Sequence, residues 1–365
     1  MKNTILLLIA AAVLGSCHGN QGDGVKADGT MEPYTLTVDK QTIESDGKDV
    51  AVLTITDANG LILTEGTALR NTSFHIAETN EFRSGIGSDG DPNLFTSIVD
   101  GTYTITAAYN GVECEAPVTV TSQNRGKYER FHKNVAIYRL TSTLCSVCPT
   151  MTEALHNLDA YTKDHSVVLE FHTNWLGADE FTVPYNMNTD LGHFLLNRFG
   201  TSEDGLPYCI YSISEGSGKR TVNDVKRMVK NRLVEEPAQT GIKASSVIEE
   251  GKLTVRATVM ASADGEYDLG WAVLKDNCIP SGQAYEDVYN DVVLSISGNF
   301  YGMSNESFTL KADAEKTIER TWESDKLDEN DCRVVLFSLR KSGESVIIDN
   351  AVDFKVGKSV EYRYN

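Results

Sequence analysis

The residues best suited to chemistry are Cys145 and Cys148, in the run Cys145-Ser146-Val147-Cys148-Pro149. Two intervening residues bring a pair of sulfurs close enough to bond. The local pattern puts the run between a strand and a helix. The free N–H groups and partial positive charge at a helix N-terminus stabilise a thiolate and lower its pKa. Cys145, as the first and normally more exposed cysteine of such a pair, would be the attacking thiolate, and Cys148 the thiol that resolves the mixed disulfide. Such a dithiol carries its own electrons, so no cofactor is required. Pro149 falls in the first helical turn, where its missing N–H costs little. Pro207, in Gly205-Leu206-Pro207, enters a later strand, where proline is otherwise confined to edges and bulges.

The remaining cysteines take plainer readings. Cys209 shares a strand face with Pro207, and either approaches the dithiol or is a buried thiol. Cys114 reads as a core thiol or a reactive leftover. Cys278 and Cys332 would be free to pair in an oxidising compartment, and their spacing leaves that open. Zinc wants about four ligands, usually from two nearby pairs. Only one C-x-x-C occurs, without an H-x-x-x-H or H-E-x-x-H spacing. A copper set of Cys145, Cys148 and His172 is conceivable, but a polar histidine at a strand end is the plainer reading, and no metal is expected. Ser88-Asp89-Gly90-Asp91 lacks the full spacing of a calcium loop and reads as a solvated turn. No serine-hydrolase elbow or P-loop occurs.

The elements that must position the dithiol alternate in type. Val135–Leu140 and Ser166–Phe171 read as buried strands. Thr143–Lys163 reads as one helix, with Val147, Met151, Leu155 and Leu158 sharing a face. A helix over Thr189–Phe199, a strand over Leu206–Ile213 and a closing helix over Val222–Val234 complete an α/β domain across 127–237. Both flanks differ. Residues 32–123 are short alternating β runs with an Asn59-Gly60 turn, and residues 240–358 return to the same texture. Each reads as a β-sandwich.

Upstream, Lys2 precedes an unbroken apolar run from Ile5 to Val13. A bilayer span needs about 20 such residues, whereas this length suits the core of a secretory signal. The run ends in Leu14-Gly15-Ser16-Cys17, which resembles a bacterial lipobox. That resemblance implies a signal peptide over 1–16, lipid on Cys17 and a place in the cell envelope as an outer-membrane lipoprotein. Residues 17–31 read as a flexible tether. The 52 acids against 33 bases give a net charge of -19, a surface that phosphate backbones repel, so no nucleic-acid partner is expected.

Three resemblances sharpen this picture. Residues 32–123 look like a bacterial immunoglobulin-like domain, through "TDANG" and "DGTYTITAAYNG". The C-x-x-C at a strand–helix junction resembles the thioredoxin active site. That likeness makes Pro207 a candidate cis-proline beside the dithiol, shaping the substrate groove. The wider set "TSTLCSVCP", "VVLEFHTN", "DEF", "RFGTSEDGLP", "WAVLKDNCIPSGQ" and "YNDVVLSISGNFYG" resembles the Omp-twenty-eight-related outer-membrane lipoproteins over roughly residues 130–356. This implies a lipid anchor, a thioredoxin-like domain and a C-terminal β-domain, with the N-terminal sandwich added. The chain departs from a strong reductase in three ways. Leu144 stands where thioredoxins commonly have Trp, Ser146-Val147 where they have Gly-Pro, and Arg139 where oxidoreductases often bury an acid. The expected fold is therefore multidomain and mainly β with one α/β domain. The expected function is thiol–disulfide exchange on envelope proteins through Cys145, Cys148 and Pro207. The alternative is a non-enzymatic surface lipoprotein, for adhesion, scaffolding or binding, whose disulfide is structural.

Overall fold

The computed structural model describes residues 34–85, 91–123, 131–187, 189–201, 205–297, 299–323 and 326–364. The expected signal peptide over 1–16, the expected lipid site at Cys17, the expected tether and residues 88–90 lie outside them. The chain is mainly β, and it forms two compact units. One takes residues 34–43, 50–96 and 101–122; the other takes 44–49, 97–100 and the chain from 123 onward.

The first stretch supplies β1 (Thr35–Val38), β2 (Thr42–Glu44), β3 (Ala51–Thr56), β4 (Thr72–Ile76), β5 (Glu81–Ser84), β6 (Leu94–Phe95), β7 (Gly101–Tyr109), β8 (Val112–Glu113) and β9 (Val118–Gln123). Strands β1-β3-β6 form one sheet and β2-β9-β7-β4-β5 another, with β8 beside β7. Strict alternation in β3 turns Ala51, Leu53 and Ile55 inward. There they meet Ile43, Phe74, Ile105 and Val120 of the other sheet, in a sandwich-like core. Gly60 takes φ +80 at the expected turn, which Asp57 closes by accepting from Asn59 N and Leu61 N.

The second unit begins with β10 (Val135–Thr141), α1 (Pro149–His156), α2 (Ala160–Asp164), β11 (Ser166–His172), β12 (Pro184–Asn186), β13 (Thr189–Asp190), α3 (Leu191–Phe199), β14 (Tyr208–Tyr211), β15 (Glu215–Ser217) and α4 (Val222–Glu235). Strands β16 (Thr240–Glu249), β17 (Lys252–Ala261), β18 (Gly265–Lys275), β19 (Val292–Ile296), β20 (Phe308–Leu310), β21 (Glu315–Glu323), β22 (Cys332–Ser342), β23 (Ser345–Lys355) and β24 (Ser359–Val360) follow.

Where the sequence suggests two domains meeting near 237–240, one sheet runs through both, in the order β15-β14-β10-β11-β19-β18-β22-β23. The junction is a parallel pairing of β11 with β19 at Glu170 and Val292, with Glu170 N donating to Asp291 O at 2.8 Å. β11 is buried through most of its length, so an unpaired edge there would strand its N–H groups away from water. A second sheet, β21-β17-β16-β24, packs its apolar face against β18, β22 and β23.

Alternation in β10 divides the core. Ala136, Tyr138 and Leu140 pack with α3 and the C-terminal strands. Val135 and Ile137 pack with Met151, Leu155, Val225 and Val229 of α1 and α4. The single helix expected over Thr143–Lys163 is two short ones. The first starts only at Pro149, and Asp159 ends the continuity by capping α2, accepting from Thr162 N at 2.8 Å. No helix among the described residues is long and apolar enough to cross a membrane.

Candidate functional site

The turn after β10 carries the cysteine pair. Cys145 N donates to Ser142 O at 3.1 Å and Cys148 N to Cys145 O at 3.3 Å, so the turn is tight. Cys145 and Cys148 are joined as a disulfide, with Cα atoms 5.4 Å apart. Cys148 is the N-cap of α1 and Pro149 its first residue, which puts Cys145 outside the helix. The favourable end of the helix dipole therefore bears on Cys148 more than on Cys145. The first cysteine is also not the exposed one: Cys145 is 2% and Cys148 1% exposed, while Ser146 and Val147 between them are open to solvent.

Sheet register arranges what lies on the same face. Arg139 sits opposite Glu170 of β11 and Cys209 of β14, and Thr141 sits opposite His172. The peptide bond before Pro207 is cis, and β14 starts at the next residue, Tyr208, opposite Leu140. Odd-numbered residues of β10 face α1, so Arg139 and Thr141 share the face on which the motif turn sits.

A buried charge network fills this face. Arg139 donates to Glu170, to Thr152 Oγ1 of α1 and to Glu286 Oε1, the last at 2.9 Å. His172 donates from Nε2 to Glu170 Oε1 at 3.0 Å and from Nδ1 to Asp179 Oδ2 at 2.7 Å. Asp179 Oδ2 also accepts from Thr143 N at 2.9 Å, two residues before Cys145. Burial works against a charge on His172, but the two carboxylates outweigh it and raise its pKa to about 9. Burial likewise opposes the Asp179 carboxylate, yet hydrogen bonds led by His172 hold its pKa below the usual value. With both ring nitrogens taken, His172 presents no lone pair to the cysteines, which removes the copper set.

The segment between β18 and β19 is bonded to the chain before and after the motif. Tyr285 N donates to Thr143 O at 3.2 Å on one side of the disulfide. On the other side, Thr152 Oγ1 donates to Glu286 Oε1 at 2.9 Å. Ser281 Oγ bonds Glu180 Oε1 at 2.9 Å in the loop after β11. Sequence reasoning missed Glu170, Asp179, Glu286 and this whole segment. The available signal was Glu170 itself, an acid inside the apolar run "VVLEFH".

The other cysteines among the described residues are free thiols. Cys209 is fully buried among Met151, Val225 and Val229, and burial pushes its thiol up to about 12 against the pull of Arg139. Cys278 packs with Tyr289 and Val292, while Cys332 lies in the core of the C-terminal strands. Cys114 is half-buried in the sandwich, and burial pushes it up to about 11. His132, Asp164 and His165 bring ligand atoms within 4.8 Å of one another. Their two imidazoles are stacked, with centroids 4.0 Å apart, so their lone pairs do not converge. Both carboxylate oxygens of Asp164 also accept from Arg363.

No protein-family model matches the chain, and no curated protein is significantly similar to it. Among solved structures, HBP35 of Porphyromonas gingivalis is 20% identical, with a TM-score of 0.52 over 63% of this chain and 77% of that one. A protein of Agrobacterium tumefaciens, 15% identical, gives 0.41 over 63% and 97%. The adhesin InvE of Yersinia pseudotuberculosis, 9% identical, gives 0.17 over 88% and 58%. The first likeness is one of fold alone, and the other two are too slight to argue from.

Proposed function

We propose that this chain is a lipid-anchored cell-envelope protein that works by binding rather than by redox turnover, with Cys145–Cys148 as a structural brace. The observation that carries this reading is occlusion. Both cysteines are buried, and the segment at Tyr285 and Glu286 is bonded to the chain on either side of them. A thiolate of a substrate protein must reach a sulfur in line with the S–S bond to displace it, and at 2% and 1% exposure Cys145 and Cys148 offer little surface to such an attack. Arg139 in place of a buried acid, already paired to Glu170 and Glu286, supports the same conclusion. The lipobox-like Leu14–Cys17 supports the anchor, and the acidic surface supports protein partners over nucleic acid.

A second reading, a thioredoxin-like domain exchanging disulfides with envelope proteins, is favoured by the motif's place between β10 and α1 and by Pro207 entering the strand beside β10. Cys148→Ser distinguishes the two. With resolution blocked, an exchanger accumulates mixed disulfides in envelope extracts. The binding reading expects none, under conditions where an established envelope oxidoreductase with its resolving cysteine removed is trapped. Adducts through Cys145 would overturn it.

A further inference from the structure

Ten large apolar side chains are exposed in the second unit among the described residues, and six of them are Val147, Trp175, Leu176, Ile279, Tyr285 and Val288. These six come from three segments that hydrogen bonds and contacts hold together around the disulfide. Tyr285 is tied to Thr143. Ser281, two residues from Ile279, is tied to Glu180. A Cβ on Gly177, next to Leu176, would lie 3.3 Å from Leu144 Cδ1. Single exposed apolar residues are ordinary, but a cluster of this kind marks an interaction surface. Ile279 is the most open of the six, at 74% exposure.

The charges of the same segments indicate what fits. Residues 144–162, 173–190 and 276–291 contain no Lys or Arg, and their exposed acids include Glu153, Glu180 and Asp287. An aromatic and aliphatic patch with acids and no bases repels anionic lipid and also a second copy of a chain carrying -19. Its complement is a basic polypeptide segment bearing apolar side chains. We infer that the face around Cys145–Cys148 is a docking surface for such a segment of another protein. The inference rests on the binding reading above and names its partner class.

The test uses the whole chain and dye-labelled, cysteine-free peptides followed by anisotropy. A peptide alternating Lys and Leu is expected to bind, and to bind more weakly as salt rises. One alternating Lys and Ser should bind about tenfold more weakly, and one alternating Glu and Leu should not bind. The double variants Glu153→Lys with Asp287→Lys, and Ile279→Ser with Tyr285→Ala, should each weaken the first peptide about tenfold or more. Every one of these positions is at least partly open to solvent, so the fold should survive, and Phe82→Ser in the first unit should change nothing. Equal binding of all peptides, no binding, or indifference to both double variants would overturn the surface. Self-association abolished by Ile279→Ser with Tyr285→Ala would overturn it in favour of a second copy. Because the peptides lack thiols, their failure leaves the brace untouched, and trapped mixed disulfides would sink the brace without touching this result.

Discussion

Replacing His172 by Gln should remove a pH-dependent component of stability, and the network fixes its size and sign. His172 is almost fully buried between Glu170 and Asp179, and its pKa rises from 6.5 to about 9. A raised pKa means the folded chain holds the proton more tightly than the unfolded one. The contribution is therefore fully present below pH 6.5 and is lost as pH climbs through 9. At about 1.4 kcal/mol per unit, the linkage supplies about 2.5 kcal/mol at pH 7 and almost none at pH 10. Other groups titrate over this range. Burial lowers Lys133 to about 8, against the pull of Asp349 and Glu236, so its contribution grows with pH and runs the opposite way. The useful quantity is hence the difference between the natural chain and His172→Gln, in which Lys133 cancels. Urea unfolding at pH 7, 8, 9 and 10 gives this difference from midpoints and slopes. It should shrink by about 2.5 kcal/mol across the series. A difference constant to within about 0.5 kcal/mol would refute a charged His172 in the network.

Other expectations follow from the same packing. Arg139→Met should cost about 3–5 kcal/mol in urea unfolding, because Glu286 stays buried without its cation and Glu170 keeps only His172, and adding Glu170→Gln should recover part of it. The double variant Cys145→Ser with Cys148→Ser should lose about 2 kcal/mol, the chain entropy of so short a loop, while keeping the native circular dichroism spectrum. Asp190 caps α3 by accepting from His193 N at 2.8 Å and also accepts from Asn174 N at 3.0 Å, so Asp190→Ala should cost about 1–2 kcal/mol and lower Tm.

The parts of this fold that are visible in the sequence are those fixed by neighbours along the chain. Alternation placed β3, an apolar run placed β10 as a buried strand, helical periodicity placed α3 and α4, and Asp57–Gly60 announced its turn. The cysteine pair is visible for the same reason, since three residues of separation decide whether it can bond. The break at Asn157–Asp159 was also local, but the apolar face runs through it from Met151 to Leu158, and that face hid the cap. What stayed hidden is long-range. β11 and β19 join two regions through one parallel pairing, and neither strand's composition names its partner. Cys145 is buried, and the bond from Tyr285 to Thr143 beside it joins residues far apart along the chain, so the motif alone suggested an exposed nucleophile. Arg139 looked like a missing acid, whereas the acid, Glu170, stands on the adjacent strand and is already neutralised.

The central claim, that the dithiol is a brace and not a redox centre, is tested most directly by its reduction potential. The natural chain would be equilibrated in dithiothreitol buffers of stepped ratio, quenched by alkylation and read by the mass shift on the Cys145–Cys148 peptide. Burial of both cysteines favours the disulfide in the folded state, and a structural bridge of this kind has a potential below about -300 mV. A value between about -120 and -270 mV, the range of working oxidoreductases, would contradict the account.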